Sequence, residues 1–216
     1  MSKVLKPRFF IFTGRVICLL VLSVVISVAG GCAAKKGAVR AGYFSELSRW
    51  TRSKAVFKGL EDRLYISATF KSRSFRKAYA EYYAESYRLD SDYREVLLKR
   101  EMDQAEKFNE VFFTVYTPEE DWNDFSRKDS VWKVYLEDNL GNRLAPISIE
   151  TVEGSSSIIR EFFPYFDLWS TAYTARFPKY SVTSAEPIPG KDTGYIKLVV
   201  TGVLGAGELK WALNKK

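Results

Sequence analysis

The residue types that most often carry catalysis or bind metals are scarce in this 216-residue chain. It contains no histidine and only two cysteines, Cys18 and Cys32. The lack of histidine excludes Ser-His-Asp and Cys-His catalysis, His-ligated zinc and a histidine general base. The acidic residues do not follow the spacing of a calcium-binding EF-hand loop. We therefore expect neither a metal ion nor another cofactor.

Carboxylates remain as candidate catalytic groups, and they cluster in two places. The first cluster is Glu119–Asp121 with Asp124, and the second is Glu137 with Asp138. A glycosidase needs two carboxyl groups about 5–9 Å apart around its sugar. Acids are also common at a helix N-terminus and before a turn, where these clusters are predicted to lie. We therefore expect that the protein is not an enzyme, with a carboxylate-dependent hydrolase as a remote alternative.

The first 31 residues have the three parts of a secretory signal peptide. Residues 1–15 carry four basic side chains and no acid. The apolar run Val16–Val28 follows, and it is shorter than the about 20 residues that a membrane-spanning helix needs. Small residues then lead to Cys32. A basic start, a short apolar middle and a small-residue exit predict secretion and removal of residues 1–31.

The segment Ala29-Gly30-Gly31-Cys32 resembles the lipobox of bacterial lipoproteins, in which one aliphatic and two small residues precede a cysteine. It departs from the usual pattern at Ala29, where a larger aliphatic residue is common. The resemblance implies that Cys32 receives a diacylglycerol, that cleavage precedes it, and that its new amino group is acylated. Two or more acyl chains anchor a protein stably, since each buried methylene contributes about 0.8 kcal/mol. The alternative is a secreted protein with an unmodified cysteine.

The resemblance also implies a location and a domain division. In many Gram-negative bacteria, aspartate directly after the lipidated cysteine retains a lipoprotein in the inner membrane, and here Ala33 occupies that position. We therefore expect an outer-membrane lipoprotein that faces the periplasm, with the inner membrane or the cell surface as alternatives. Residues 32–42 would form the lipidated N-terminus and linker. Residues 43–216 are long enough to form a single globular domain.

The charge of the chain gives little support for nucleic-acid binding. The net charge is +7, but four positive charges lie within the signal peptide. We therefore expect no nucleic-acid partner. Lys71, Arg73, Arg76 and Lys77 form a basic cluster. Two interpretations of it remain open, a solvated face and a contact with lipid head groups or with an acidic partner.

The hydrophobic pattern predicts a mainly β, α+β domain. Leu64–Lys71 alternates apolar and polar residues, which is typical of a half-buried strand. Further strands are predicted near 110–116, 131–137, 143–151, 171–177, 195–203 and 209–213, the last after a turn at 205–207. A helix is predicted over 43–57 and a helical excursion over about 72–108, either continuous or broken at Leu89–Asp92. The sum predicts an antiparallel β-sandwich, with an immunoglobulin-like arrangement as one candidate, and a long helical insertion after the first strand.

Two aromatic stretches are candidate binding surfaces. Aromatic residues recur every four positions from Phe75 to Tyr87, which predicts either a face that packs on the sheet or a ligand platform. The stretch 162–169 is dense in aromatic residues and is broken by Pro164. It is either a buried crossing or an exposed lip. Its candidate partner-binding residues are Phe162, Phe163, Tyr165, Phe166 and Trp169.

These observations favour a membrane-anchored, non-enzymatic lipoprotein that binds another protein of the cell envelope. A lipoprotein that binds a small lipid or glycan through the same aromatic residues is the alternative. A deep apolar pocket would favour the small ligand, and a flat aromatic ridge would favour the protein partner.

Overall fold

The computed structural model describes residues 37–181 and 186–213. Within these residues, the chain from Tyr43 onward clusters as one compact unit. Residues 1–31, Cys32 and Ala33 lie outside the described residues, so the signal peptide and the lipidation site remain predictions. Among the helices within the described ranges, none is long and apolar enough to cross a membrane.

The described chain folds into four α-helices and nine strands, an α+β fold with two antiparallel sheets. The helices are α1 (37–50), α2 (Arg73–Ser86), α3 (Ser91–Lys107) and α4 (Ser156–Phe162). The strands are β1 (Thr51–Lys58), β2 (Glu61–Phe70), β3 (Phe108–Tyr116), β4 (Trp132–Asp138), β5 (Arg143–Leu144), β6 (Ser148–Thr151), β7 (Thr171–Pro178), β8 (Tyr195–Gly202) and β9 (Gly205–Ala212). The first sheet has the order β1-β2-β3-β7-β6 and the second the order β5-β4-β8-β9.

The helix predicted over 43–57 is wrong in its second half. The spacing of Trp50, Lys54 and Phe57 favours a helix, but α1 ends at residue 50 and β1 begins directly after it. β1 pairs with β2 along its length through a two-residue hairpin loop. Gly59 has a φ of +66° at the first loop position, where a type II′ turn needs glycine. The helical excursion therefore follows the second strand of the chain instead of the first.

The helical excursion consists of two helices, so the break near Leu89–Asp92 is the correct alternative. The Ser72 hydroxyl accepts a hydrogen bond of 3.1 Å from the Phe75 N–H and caps α2. The Asp90 carboxylate accepts two N–H groups of the first turn of α3, at 3.1 and 3.0 Å. Arg88 has a φ of 52°, which turns the chain between the helices. Such caps are worth about 1 kcal/mol each.

Strand β3 is buried from Asn109 to Val115 because packing covers both of its faces. On one face, the Phe113 ring lies 5.6 Å from Phe125, which in turn stacks on Trp132 of β4 at 5.9 Å. We call the opposite side the outer face of the first sheet. Glu110, Phe112, Thr114 and Tyr116 mark it along β3, because alternate residues of a strand point to the same side. The candidate site lies on this outer face.

Candidate functional site

One end of the outer face is covered by aromatic packing. The Phe163 ring stacks on Phe112 of β3, with 3.8 Å between ring centroids and an interplanar angle of 18°. Phe75 of α2 lies 6.2 Å from Phe163. The Tyr165 and Thr69 hydroxyls are hydrogen bonded at 2.6 Å, and burial raises the pKa of Tyr165, so the phenol remains neutral. We call this part of the sheet the covered end.

The structure divides the aromatic stretch 162–169 into a buried and an exposed part. Phe162, Phe163 and Phe166 are 4%, 8% and 8% exposed, so most of their surface packs internally, although Phe162 and Phe163 also line a cavity of about 390 Å³. Tyr165 is half-buried. Trp169 is 79% exposed, so it is the member of this candidate set that can most readily contact a partner. The two predictions for this stretch, a buried crossing and an exposed lip, therefore apply to different parts of it, the first up to Phe166 and the second to Leu168 and Trp169.

The tyrosine stripe of α2 packs mainly on α4. Tyr79 and Tyr83 lie 5.3 and 5.6 Å from the Phe162 ring, and the buried Phe75 contacts Phe163. Tyr87, at the end of the stripe, is 46% exposed. The stripe therefore joins two helical segments above the sheet, and most of it has a packing role.

The other end of the outer face holds an open cleft of about 630 Å³. We call it the aromatic cleft. Its lining consists of Asp62, Tyr65, Ser67, Thr114, Tyr116, Tyr165, Asp167, Trp169 and Ser170. Strands β2 and β3 supply one side, and the chain between α4 and β7 supplies the other. Rigid strands therefore position half of the lining, which favours a preformed site.

The register of β2 against β3 builds the base of the aromatic cleft. Ser67 pairs with Thr114, and one rung further along Tyr65 pairs with Tyr116. The first pair contributes short hydroxyl side chains. The second contributes two rings with centroids 6.0 Å apart, of which 41% of Tyr65 and 37% of Tyr116 is exposed. Phe57 of β1 continues the row, 6.3 Å from Tyr65.

Two carboxylates fix the edges of the aromatic cleft. Asp167 Oδ1 accepts hydrogen bonds from the backbone N–H groups of Trp169 and Ser170, at 3.0 and 2.8 Å. Such a turn holds the loop and presents the Trp169 ring to solvent. On the strand side, a hydrogen bond with Asp62 raises the pKa of Tyr65, so its hydroxyl remains protonated at neutral pH.

Three of the six acidic residues in the clusters identified in the sequence are engaged in structural contacts. Asp124 accepts hydrogen bonds from the Ser130 hydroxyl and the Val131 N–H. Asp138 accepts two backbone N–H groups of the following turn, both at 2.9 Å. Glu137 forms ion pairs with basic residues of neighbouring strands. Glu119 and Asp121 line a second open hollow of about 730 Å³, which shares Asp62 with the aromatic cleft.

Part of the predicted basic cluster is buried, which contradicts the interpretation of a wholly solvated face. Arg76 is 1% exposed and donates to Glu101 at 2.8 Å. Its Nη2 atom lies 3.4 Å from Glu110 Oε2. Burial alone would raise the pKa of Glu110, but Lys71, Arg76 and Arg176 outweigh it and lower the pKa to about 2. Arg73 remains exposed and pairs with Glu106.

Sequence reasoning missed Tyr65, Ser67, Thr114 and Tyr116 as site residues. Their alternation was visible and placed Tyr65 and Ser67 together on one face of a strand. The register that brings the β3 residues beside them is a long-range property. Within the part of the chain that the structure describes, no group of three or more His, Cys, Asp or Glu side chains is arranged to hold a metal ion.

A scan against protein-family models finds no matching family, and a search of curated proteins finds no match. Among solved structures, the chain is similar to a crystal structure described as a novel protein of unknown function from Burkholderia pseudomallei K96243. The two share 10% sequence identity, with 82% of this chain and 86% of the other covered and a TM-score of 0.43.

Proposed function

We propose that this chain is a lipid-anchored, non-enzymatic binding protein of the bacterial cell envelope, in which the aromatic cleft takes a ligand. The cleft carries the proposal because three aromatic side chains, Tyr65, Tyr116 and Trp169, are 37–79% exposed around one concavity. Exposed apolar surface grouped in this way commonly marks a binding site. The concave shape favours a small ligand over a protein partner.

The lipobox-like segment supports the location in the envelope. Cys32 would carry the anchor and, with Ala33 after it, the protein would reach the outer membrane and face the periplasm. The inner membrane and the cell surface remain alternatives. In this proposal residues 1–31 are removed, residues 32–42 link the anchor to the domain, and residues 43–216 form that domain.

We also propose that the two sheets form an immunoglobulin-like β-sandwich. Strands β2–β9 follow in chain order the immunoglobulin strands A, B, C, C′, D, E, F and G, with one sheet A-B-E-D and the other C′-C-F-G. The helical excursion then lies between A and B, and β1 is an added edge strand. Phe70 and Trp211, one from each sheet, have ring centroids 5.9 Å apart. Nuclear Overhauser contacts between these two rings are expected, and their absence would contradict the sandwich.

The structural use of Asp124, Glu137 and Asp138 supports a binding function rather than catalysis by these three residues. Asp124 and Asp138 each stabilise local turns through several hydrogen bonds. Glu137 is paired with Arg143 and Lys197. Carboxylates held in this way are poorly placed to exchange protons with a substrate.

The anchor is tested by metabolic labelling with a radioactive fatty acid and by envelope fractionation. We expect wild type to carry label and to sediment with membranes, whereas Cys32→Ala is unlabelled and leaves the outer-membrane fraction. Cys18→Ala is the matched control because it lies within the predicted signal peptide. Equal labelling of wild type and Cys32→Ala would overturn the lipoprotein assignment.

The cleft is tested by photo-crosslinking in living cells. A photoreactive amino acid replaces either Trp169, which is 79% exposed in the cleft, or Tyr93, which is 67% exposed on α3. We expect an adduct from position 169 that disappears when Ser67→Tyr fills the base of the cleft. Adducts that are the same at both positions, or that survive Ser67→Tyr, would contradict the proposal.

A further inference from the structure

We propose that the ligand of the aromatic cleft is an uncharged oligosaccharide chain. This inference rests on the proposed binding function and names the chemical class of its ligand. Three properties of the cleft carry it, namely a row of aromatic rings, a base of short hydroxyl side chains with carboxylates at the edges, and the absence of cationic side chains among the described lining residues.

The exposed aromatic rings of the cleft can pack on sugar rings. Tyr65 and Tyr116 stand on adjacent strands, with ring centroids 6.0 Å apart and an interplanar angle of 44°. Phe57, which lies outside the cleft lining, is 6.3 Å from Tyr65 with its ring nearly perpendicular, at 80°. One side of a pyranose presents several C–H groups, which pack on the electron-rich face of an aromatic ring. Tyr65, Tyr116 and Trp169 therefore offer separate stacking positions for the sugars of one chain.

The polar lining matches the hydroxyl groups of a sugar. The Ser67 hydroxyl pairs with the Ser53 hydroxyl at 2.8 Å and retains capacity for one more partner. Thr114 is 2% exposed, and Asp62 and Asp167 are acceptors. Asp167 already accepts two backbone N–H groups at Oδ1, but a carboxylate has about four lone-pair sites, so it can accept more. Sugar hydroxyls, like these partners, donate and accept hydrogen bonds. The cleft can thus satisfy both the apolar and the polar sides of a saccharide.

Two other ligand classes fit the cleft less well. Phosphate head groups of lipids need cationic partners, and among the described lining residues there is no Lys or Arg, whereas there are two Asp. An acyl chain would cover the carboxylates of Asp62 and Asp167 without offering them hydrogen bonds, which is unfavourable.

The proposal is tested by calorimetric titration of the whole protein, purified from envelopes in a neutral detergent. The probes are the tetramers of N-acetylglucosamine, glucose in β-1,4 linkage and glucose in α-1,4 linkage. We expect saturable binding of at least one. Trp169→Ala should weaken it about tenfold, since one aromatic contact is worth about that factor. Ser67→Tyr, which fills the base of the cleft, should abolish binding, and Tyr93→Ala on α3 should leave it unchanged.

Several outcomes would overturn the inference. One is the absence of binding by all three tetramers at millimolar concentration, and another is binding that Trp169→Ala and Ser67→Tyr leave intact. A third is binding to phosphatidylglycerol vesicles that depends on Trp169 while no tetramer binds. If, in cells, the photo-crosslinked adduct at position 169 is still lost in the Ser67→Tyr variant, such results refute only the saccharide as ligand, and the proposed binding function stands. Cleavage of a tetramer would instead overturn the non-enzymatic assignment.

Discussion

The covered end of the outer face and its open end, which holds the aromatic cleft, belong to the same strands. They differ in how much of the sheet is covered by other parts of the chain. Along β3, Glu110 and Phe112 are 5% exposed, and four residues further on Tyr116 is 37% exposed. At the covered end, α2, α4 and the stretch around Phe163 lie over the sheet. At the open end no helix of the described chain lines the aromatic cleft.

This contrast separates residues that stabilise the domain from residues that are available for binding. At the covered end, aromatic rings stack on each other, and the charges of Lys71 and Arg76 are balanced by those of Glu101 and Glu110. At the open end, tyrosine and tryptophan rings face solvent. Because apolar burial contributes roughly 25 cal/mol per Å², the rings of the covered end carry much more of the folding free energy. The open end retains its apolar surface for a ligand.

Phe163→Ala, at the covered end, should destabilise the domain more than any substitution at the open end. It removes the ring that stacks on Phe112 at 3.8 Å and leaves a cavity at an 8% exposed position. We expect the free energy of unfolding to fall by about 4 kcal/mol, as measured by urea denaturation.

Leu168→Ala is the matched control, because Leu168 lies in the same stretch and is 78% exposed. It should change the free energy of unfolding by less than about 0.5 kcal/mol. If both variants were equally stable, the covered end would not be the stabilising half of the outer face.

Glu110→Gln should weaken the covered end and alter its response to acid. The folded-state pKa of Glu110 is about 2, against an ordinary value of 4.5. A lowered pKa contributes stability above pH 4.5, and that stability is lost as the pH falls toward 2. The interval corresponds to about 3 kcal/mol. We expect the variant to be less stable by about that amount at pH 7 and less sensitive to pH between 4.5 and 2.

The control for Glu110 is Glu150→Gln on the neighbouring strand β6. Glu150 also pairs with Arg176, at 4.0 Å, but its side chain is 61% exposed. An exposed pair contributes little, so we expect a change below about 0.5 kcal/mol and an unaltered acid transition. A pH dependence for Glu110→Gln that matches wild type, measured by denaturation at stepwise lower pH, would contradict the role of the buried cluster.

The sequence predicted the two faces of β2 correctly but could not predict the cleft. Alternation alone assigned Leu64, Ile66 and Phe70 to one face, and all three are at most 4% exposed. The cleft depends on the pairing of Tyr65 with Tyr116, which are separated by two helices in the chain. Register of this kind is set by long-range packing and turn geometry, which a local pattern does not contain.

The edge strand β1 shows the same limit on sequence-based prediction. Most of its residues are exposed or half-buried, so its sequence lacks the clean alternation that marks β2. Pairing with β2 determines its conformation, and the local helical spacing of Trp50, Lys54 and Phe57 has no influence on it. Within 162–169, likewise, density of aromatic residues predicted a special role, but only the tertiary structure separates the buried Phe163 from the exposed Trp169.

Trp169→Ala should have the smallest effect on stability and therefore gives the sharpest test of the comparison. The ring is 79% exposed, and the Asp167 turn that holds its backbone does not depend on the side chain. We expect the free energy of unfolding to change by less than about 0.5 kcal/mol in urea denaturation, while ligand binding weakens. A loss above about 1 kcal/mol would show that the open end stabilises the fold, and its exposed rings would then no longer indicate a surface kept for binding.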